Sequence, residues 1–398
     1  MTTFLIRRLF QMLIVILLAA IASYALLYLA PGGPLVALQQ RQRGGAQGVT
    51  EEDIARIRAR FELDLHPAVR FTRWFVGLPR GPITIGEQAL FADLRVGCTQ
   101  TGQVQLTYPD GRTEIVEECI DPLTLAELEG RRVSRGVLFG DFGLSQVILR
   151  DRPISQLIWS RLPYTLALMG VSTLLAILFG VIIGVYSAVR QYSRFDYFMT
   201  TLAFIGASLP TFFFGIMLIL VLAVWAKDAG LPYLPSGNAT ANRDYVVPLL
   251  GTVEARSPLD FLLHFIMPCA VLTFVSIAQW SRFVRASMLE VLRQDYVRTA
   301  RAKGVRERLV IAKHALRNAL IPFITLLAGV LPTLFAGAAV TEAVFNWPGL
   351  GQLLLDALER FDYMVAMALL YITIVLQLVG YLISDILYTV VDPRIRLT

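Results

Sequence analysis

Six stretches of this chain run from one charged residue to the next with no Asp, Glu, Lys or Arg between them. They lie between Arg8 and Arg41, Arg161 and Arg190, Asp196 and Lys227, Asp260 and Arg282, Arg317 and Glu342, and Asp362 and Asp385. A charge at the centre of a bilayer costs roughly 3 kcal/mol on insertion scales, and about 20 apolar residues of helix cover the hydrocarbon layer. Every run is long enough to cross. The sequence therefore predicts an all-α polytopic membrane protein with six transmembrane helices. Composition agrees, since 17% of the 398 residues are charged, where soluble domains carry about 25%.

The first run opens behind Arg7 and Arg8 and stays apolar from Leu9 to Ala30. That is longer than a signal-peptide core, and Pro31 stands where cleavage would be obstructed, so a retained anchor is expected. Orientation follows from lysine and arginine in the short loops. One side would hold Arg7, Arg8, Arg190, Arg194, ten cations from Arg282 to Arg317, Arg394 and Arg396, sixteen in all. The other would hold four: Lys227, Arg243, Arg256 and Arg360. Both termini are expected in the cytoplasm of a multi-pass cytoplasmic (inner) membrane protein. The net charge of +6 thus belongs to one membrane face, and nucleic acid is not the expected partner.

Between the first two runs, residues 31–160 form a segment of different composition, leaving 1–30 as the first span and 161–398 as the main membrane body. It carries 16 arginines and 16 acids up to Arg161 and is neutral overall. Thr50 as N-cap and Asp53 at the capping-box position predict a helix over Glu51 to Phe61. Val104 to Tyr108 and Thr113 to Val116 alternate apolar with polar residues around Pro109-Asp110-Gly111, which predicts a hairpin. A small external α+β module follows. Cys98 and Cys119 flank the hairpin, where an oxidising compartment favours a disulfide; the alternative is two unpaired small residues. Cys269 lies within a run and is a packing residue.

Catalytic signatures are missing. No Gly-Lys pair occurs, so there is no Walker-type phosphate loop, and His-Glu-x-x-His and Gly-x-Ser-x-Gly are absent. Three scattered histidines, His66, His264 and His314, make a poor metal site. Apart from Cys269 and tyrosines, His264 is the one titratable group inside the runs, which argues against an intramembrane enzyme, the reading considered together with a signalling receptor. No catalytic residue, metal or cofactor is expected in this chain. Any nucleotide hydrolysis that powers it belongs to another chain.

The stretch 282–320 is the informative loop. It holds ten cations against Glu290, Asp295 and Glu307. Met288, Leu289, Leu292, Tyr296 and Val297 recur at helical spacing, Gly304 suits a helix stop, and a second helix is expected from Arg306 to Ala319, before Pro322. Two short helices would then present the small residues Thr299, Ala300 and Ala302 between arginines. Residue types alone leave two readings: a solvated positive-inside anchor, or a docking surface.

The order of residues resembles a known family. Asp295-Tyr296-Val297-Arg298-Thr299-Ala300-Arg301-Ala302-Lys303-Gly304, followed by His314-Ala315-Leu316-Arg317-Asn318-Ala319-Leu320-Ile321-Pro322, is similar to the loop of oligopeptide/dipeptide permeases, which are membrane subunits of ABC importers. Further matches to the first-permease type are Leu5-Ile6-Arg7-Arg8-Leu9, Ala30-Pro31-Gly32-Gly33-Pro34, Phe142-Gly143-Leu144-Ser145 and Ser208-Leu209-Pro210. Phe345-Asn346-Trp347-Pro348-Gly349-Leu350-Gly351 and Val391-Asp392-Pro393-Arg394 also match. Residues 81–139 have no counterpart and look inserted. Against the wider importer pattern of Glu-Ala-Ala and a later glycine, only Ala300 and Gly304 match literally, and Leu316-Arg317 replaces the closing Leu-Pro.

The resemblance implies a type I ABC importer permease fold with an inserted α+β module. It implies a second homologous permease, two ABC ATPases that bind ATP and Mg, an external binding protein and a peptide cargo in a lipid bilayer. Tyr296 to Gly304 would be the coupling helix seated on an ATPase. A nickel or other small-solute permease of the same family is the alternative cargo reading. Pro210, Pro268 and Pro332 are candidate bends. Thr211, Gln279 and Gln377 either line a pathway or bond helices together. A short amphipathic helix over Leu350 to Leu358 is expected at the interface.

Overall fold

The computed structural model describes residues 2–29, 62–85, 88–107, 113–131, 133–145, 147–336 and 338–391. The expected helix over Glu51 to Phe61 and the hairpin tip at 108–112 lie outside the described residues, as do the motifs at Ala30 to Pro34 and Asp392 to Arg394. Contacts divide the chain into two compact units, Met1–Met12 with Ile158–Asp356 and Thr373–Thr398, and Leu13–Leu157 with Ala357–Ile372.

Along the chain, α1 covers Thr2–Leu29 and α2 Pro67–Val76. Strands β1 (Ile83–Ile85) and β2 (Gln88–Leu90) pair, as do β3 (Arg95–Thr107) and β4 (Thr113–Thr124). Helix α3 is Ile154–Val189, α4 Arg194–Ser208 and α5 begins at Thr211–Leu218. Strands β5 (Tyr245–Val247) and β6 (Gly251–Val253) form a hairpin before α6, Pro258–Leu292. Then come α7 (Asp295–Ala302), the helical run α8 (307–319), α9 (Ile321–Ala336), α10 (Ala339–Val344), α11 (Leu350–Glu359) and α12 (Tyr363–Val391).

Among the described residues, five helices are long and apolar enough to cross a membrane: Ile6–Ala25, Ile154–Val189, Thr211–Asp228, Pro258–Leu292 and Tyr363–Ile386. Two expected runs depart from single spanning helices. The Asp196–Lys227 run breaks at Leu209 and Pro210, both extended, because proline lacks the N–H a helix needs and forces its predecessor out of the helical region. The Arg317–Glu342 run yields α9, whose 16 residues fall short of a full crossing. Helix α6 continues through Pro268, and α9 through Pro332.

In the first unit, α3 packs on α6 through glycines one turn apart. A Cβ on Gly180 would stand 2.5 Å from Trp280 Cβ, and one on Gly184 2.7 Å from the Ser281 carbonyl. Bare backbone at these two sites lets the helices approach closely, which is how membrane helices associate without a hydrophobic drive. Below them Met288, Ala315, Ala319 and Phe323 join a buried cluster with Ala176, Ala188, Trp280 and Val284. At the other end of α6, Asp260 is fully buried. It accepts hydrogen bonds from the Ala241 and Arg256 amides, each at 2.8 Å, and from the Tyr245 hydroxyl at 3.0 Å. His264 Nδ1 lies 3.0 Å from the same carboxylate. This residue fixes the β5–β6 hairpin to the helix.

In the second unit, Arg73 is 1% exposed and paired with Glu62 at 2.6 Å, while Arg70 donates to the Tyr24 hydroxyl at 2.7 Å. Tyr24, Phe71, Trp74, Phe75 and Tyr371 stack around α2. Strands β3 and β4 extend beyond the expected segments, and Leu65, Val96, Leu123, Leu125 and Leu128 make their core. The Cys98 and Cys119 sulfurs are 1.99 Å apart, closing a 21-residue separation. Cys269 is buried.

Candidate functional site

The loop after α6 is compact. Only Arg293 and Gln294 separate α6 from α7, and both are hydrogen-bonded, Arg293 N–H to Glu290 O and Gln294 N–H to Val291 O. Helix α7 ends because Gly304 takes φ +73°, a left-handed stop that suits glycine, with its N–H on Arg301 O at 2.9 Å. The chain then re-enters helix through Glu307–Leu309, a wider turn at Val310–Leu316 and Arg317–Ala319. Arg301 holds Glu307 at 2.8 Å, and that hydrogen bond keeps the Glu307 carboxyl below its usual range. The Arg298–Asp295 pair at 3.8 Å is almost fully solvated and contributes little.

The placement of the nine loop residues corrects one expectation. Val297 and Ala300 are buried, at 0% and 7% exposure, against Val310 and beside Val291, Leu292 and Val305. Three residues apart on a helix, they share its inner face, so Ala300 is not part of a presented surface. The outward residues are Tyr296, Arg298, Thr299, Arg301, Ala302, Lys303 and Gly304. Of the three polar residues expected in the spans, Thr211 (α5) and Gln377 (α12) are half-buried and Gln279 (α6) is exposed. The helix of Thr211 packs on that of Gln279.

Two buried acids that bound apolar runs in the sequence, Asp196 and Glu342, are structural centres. Asp196, 2% exposed and in the first turn of α4, receives Arg285 Nε at 2.7 Å and an Arg285 terminal nitrogen at 2.8 Å. It also accepts the Tyr192 amide at 3.0 Å. Glu342 is 0% exposed, and Thr165 Oγ1 donates to it at 3.1 Å. Thr165 in turn accepts the Leu350 amide at 2.8 Å, and Glu342 accepts the Gln352 amide at 2.9 Å. Glu342 therefore ties α10 and the start of α11 to α3. Gly349 must be glycine here, since a Cβ would come within 2.3 Å of the Glu342 carboxyl. Trp347, wholly buried beside this knot, donates its ring N–H to Tyr164 O at 3.1 Å. A charged residue next to Phe-Asn-Trp-Pro-Gly was the available signal.

Residues 180–397 match the family model described as the binding-protein-dependent transport system inner membrane component. The chain is 45% identical over 258 residues to the oligopeptide transport system permease protein AppB of Bacillus subtilis, covering 65% of this chain and 76% of that protein. It is 38% identical over 272 residues to the dipeptide transport system permease protein DppB of Escherichia coli, covering 66% and 78% respectively. Against the glutathione transport system permease protein GsiC of Pectobacterium atrosepticum it is 40% identical over 260 residues, covering 65% and 76%. These relatives are permease subunits rather than ATPases. The chain belongs to the binding-protein-dependent transport system inner membrane components, the permeases of ABC importers.

Proposed function

We propose that the chain is the first-type permease subunit of an ATP-driven importer that takes up peptides handed over by an external binding protein. Three relatives named for oligopeptide, dipeptide and glutathione transport carry the cargo reading. They favour a peptide over nickel or another small solute. In this reading the chain crosses the inner membrane six times, with α9 and the residues around it supplying the crossing between Arg317 and Glu342. Both termini and the 282–320 loop face the cytoplasm, as the arginine count requires. Residues 81–139 stand outside as an inserted α+β module, where the Cys98–Cys119 bridge suits an oxidising compartment.

A second homologous permease completes the pathway, and Thr211, Gln279 and Gln377 contribute polar groups to it. Two partner ATPases bind ATP and Mg; this chain holds no cofactor. Tyr296 to Gly304 rest on one ATPase, with Arg298, Thr299, Arg301 and Ala302 as the touching face and Val297 and Ala300 as its internal support. ATP closes the ATPase pair and the loop carries that motion to the spans. Nucleotide and cargo must each prefer one of two packings, since equal affinity for both shifts nothing.

Uptake by the reconstituted complex tests this. Labelled di- to oligopeptides should accumulate with ATP and the binding protein, and Ala302→Trp should abolish accumulation while the complex still assembles. Nickel accumulation without peptide accumulation would overturn the cargo reading, and full transport by Ala302→Trp would overturn docking on that face.

A further inference from the structure

Helix α6 is gripped from two sides at one level. Gly180 and Gly184 of α3 lie against Trp280, Ser281 and Val284, and Asp196 of α4 is paired with Arg285. From Arg285 to Leu292 is seven residues, about 10 Å of helix at 1.5 Å per residue. Beyond Leu292 only two hydrogen-bonded residues precede α7, so a displacement of α7 reaches Arg285 with little slack. Helix α4 meets α6 higher up through apolar and cation–aromatic contacts: Phe274 beside Gly206, and Arg282 5.4 Å from the Phe204 ring centre. At the end nearest α7, among the described residues, Asp196–Arg285 is a side-chain ion pair between them.

We propose that this ion pair is the joint that carries motion of the coupling helix into α4, and that it stays closed throughout the transport cycle. The proposal rests on the docking reading given above. Asp196 is buried while Arg285 keeps 28% of its side chain exposed, and such a pair is a poor way to gain stability, because desolvating the carboxylate offsets much of the attraction. Its strength is geometry. The planar guanidinium fork takes both carboxylate oxygens and fixes orientation as well as distance, which neither an apolar contact nor a lysine does. Asp196 is itself held by the Tyr192 amide and by the Ser193 cap. A pull on Arg285 is therefore passed to the first turn of α4 and not absorbed by a side-chain rotation. Asp196 and Arg285 are positioning residues in this scheme, since neither needs to touch cargo or nucleotide.

The test uses the whole complex in proteoliposomes, with Cys269 replaced by serine and cysteines placed at Asp196 and Arg285. ATP hydrolysis and peptide uptake are both measured, before and after bridging the two cysteines with a short bifunctional thiol reagent. Unbridged, the variant should hydrolyse ATP within twofold of the parent while uptake per ATP falls at least tenfold. Bridging should restore at least half of the parent ratio. An inactive bridged form with an active unbridged one would mean a latch that must open, and would overturn the proposal. Unchanged uptake per ATP in both forms would overturn it equally.

Asp196→Asn/Arg285→Gln, which removes both charges without leaving one buried alone, gives an independent arm. It should assemble and uncouple in the same way. Parallel loss of assembly, hydrolysis and uptake in this variant would reduce the pair to a structural bond. Failure of the underlying reading is separable, because Ala302→Cys in the parent must crosslink to an ATPase subunit. Without that crosslink docking itself fails, and the joint with it.

Discussion

The two ends of helix α6 use a buried aspartate in opposite ways. Asp260, in its first turn, is satisfied mainly by groups of the preceding loop: the Ala241 and Arg256 amides and the Tyr245 hydroxyl. Two of these donors are backbone, so the loop is tied to the helix with little side-chain freedom to lose. At the far end Arg285 reaches Asp196 on a different helix, and the chain beyond runs into an exposed basic turn. One end is a fixture and the other a linkage. The loop at the first end is tied to the helix by three hydrogen bonds to one carboxylate, and the other end is tied to a neighbouring helix by one ion pair.

Breaking the fixture should have the largest effect. Asp260→Ala leaves three part-buried donors without their acceptor, each costing less than the roughly 1–3 kcal/mol of a fully buried donor. The purified protein should lose several degrees of thermal stability, and the 229–257 loop should become open to protease. Asp260→Asn keeps one accepting oxygen and should fall between the two. Equal stability of all three proteins would remove the contrast between the ends.

Next comes the contact that seats the linkage. Gly184→Val drives a branched side chain into the Ser281 carbonyl and Val284, an overpacking of about 1–3 kcal/mol. Thermal denaturation of the detergent-solubilised chain should show that loss. A neutral result would mean that α3 and α6 are not in contact there.

Helix α7 itself separates buried from exposed residues. Ala300→Trp meets Val297 and Val310 and should destabilise the loop, with faster hydrogen exchange over 295–310. Ala302→Trp, on the outer face, should leave stability within about 0.5 kcal/mol and remove uptake. Reversal of that pattern would put the docking face on the wrong side of the helix.

The smallest effect belongs to Arg301–Glu307. Because the carboxyl titrates below its usual range when folded, the pair contributes fully above the ordinary glutamate value. That contribution is lost as pH falls through the lowered value. Both groups are about half exposed, so Glu307→Gln should cost less than about 1 kcal/mol at neutral pH. The mutant and parent stabilities should converge in acid.

The sequence made the apolar runs and the loop legible for a simple reason. Charge exclusion from hydrocarbon and left-handed glycine stops are local signals, readable without partners. Gly304 illustrates this, and so does the break at Pro210 once its ring chemistry is applied. What a residue faces is not local. Ala300 read as presented because small residues among arginines look exposed, yet its neighbours Val297 and Val310 turn it inward. Asp196, Asp260 and Glu342 marked only the ends of runs, because a carboxylate's partners come from segments up to 177 residues away. The Gly180 and Gly184 pair was equally silent, since two glycines in an apolar run have meaning only against the helix they touch.

The central claim is that this chain is driven from the outer face of α7. Ala302→Cys, probed in the detergent-solubilised assembled importer with a water-soluble maleimide, tests it most directly. Labelling should be strongly suppressed relative to the isolated subunit, both without nucleotide and with ATP bound. Rapid labelling in every nucleotide state would leave that face in water and contradict the account.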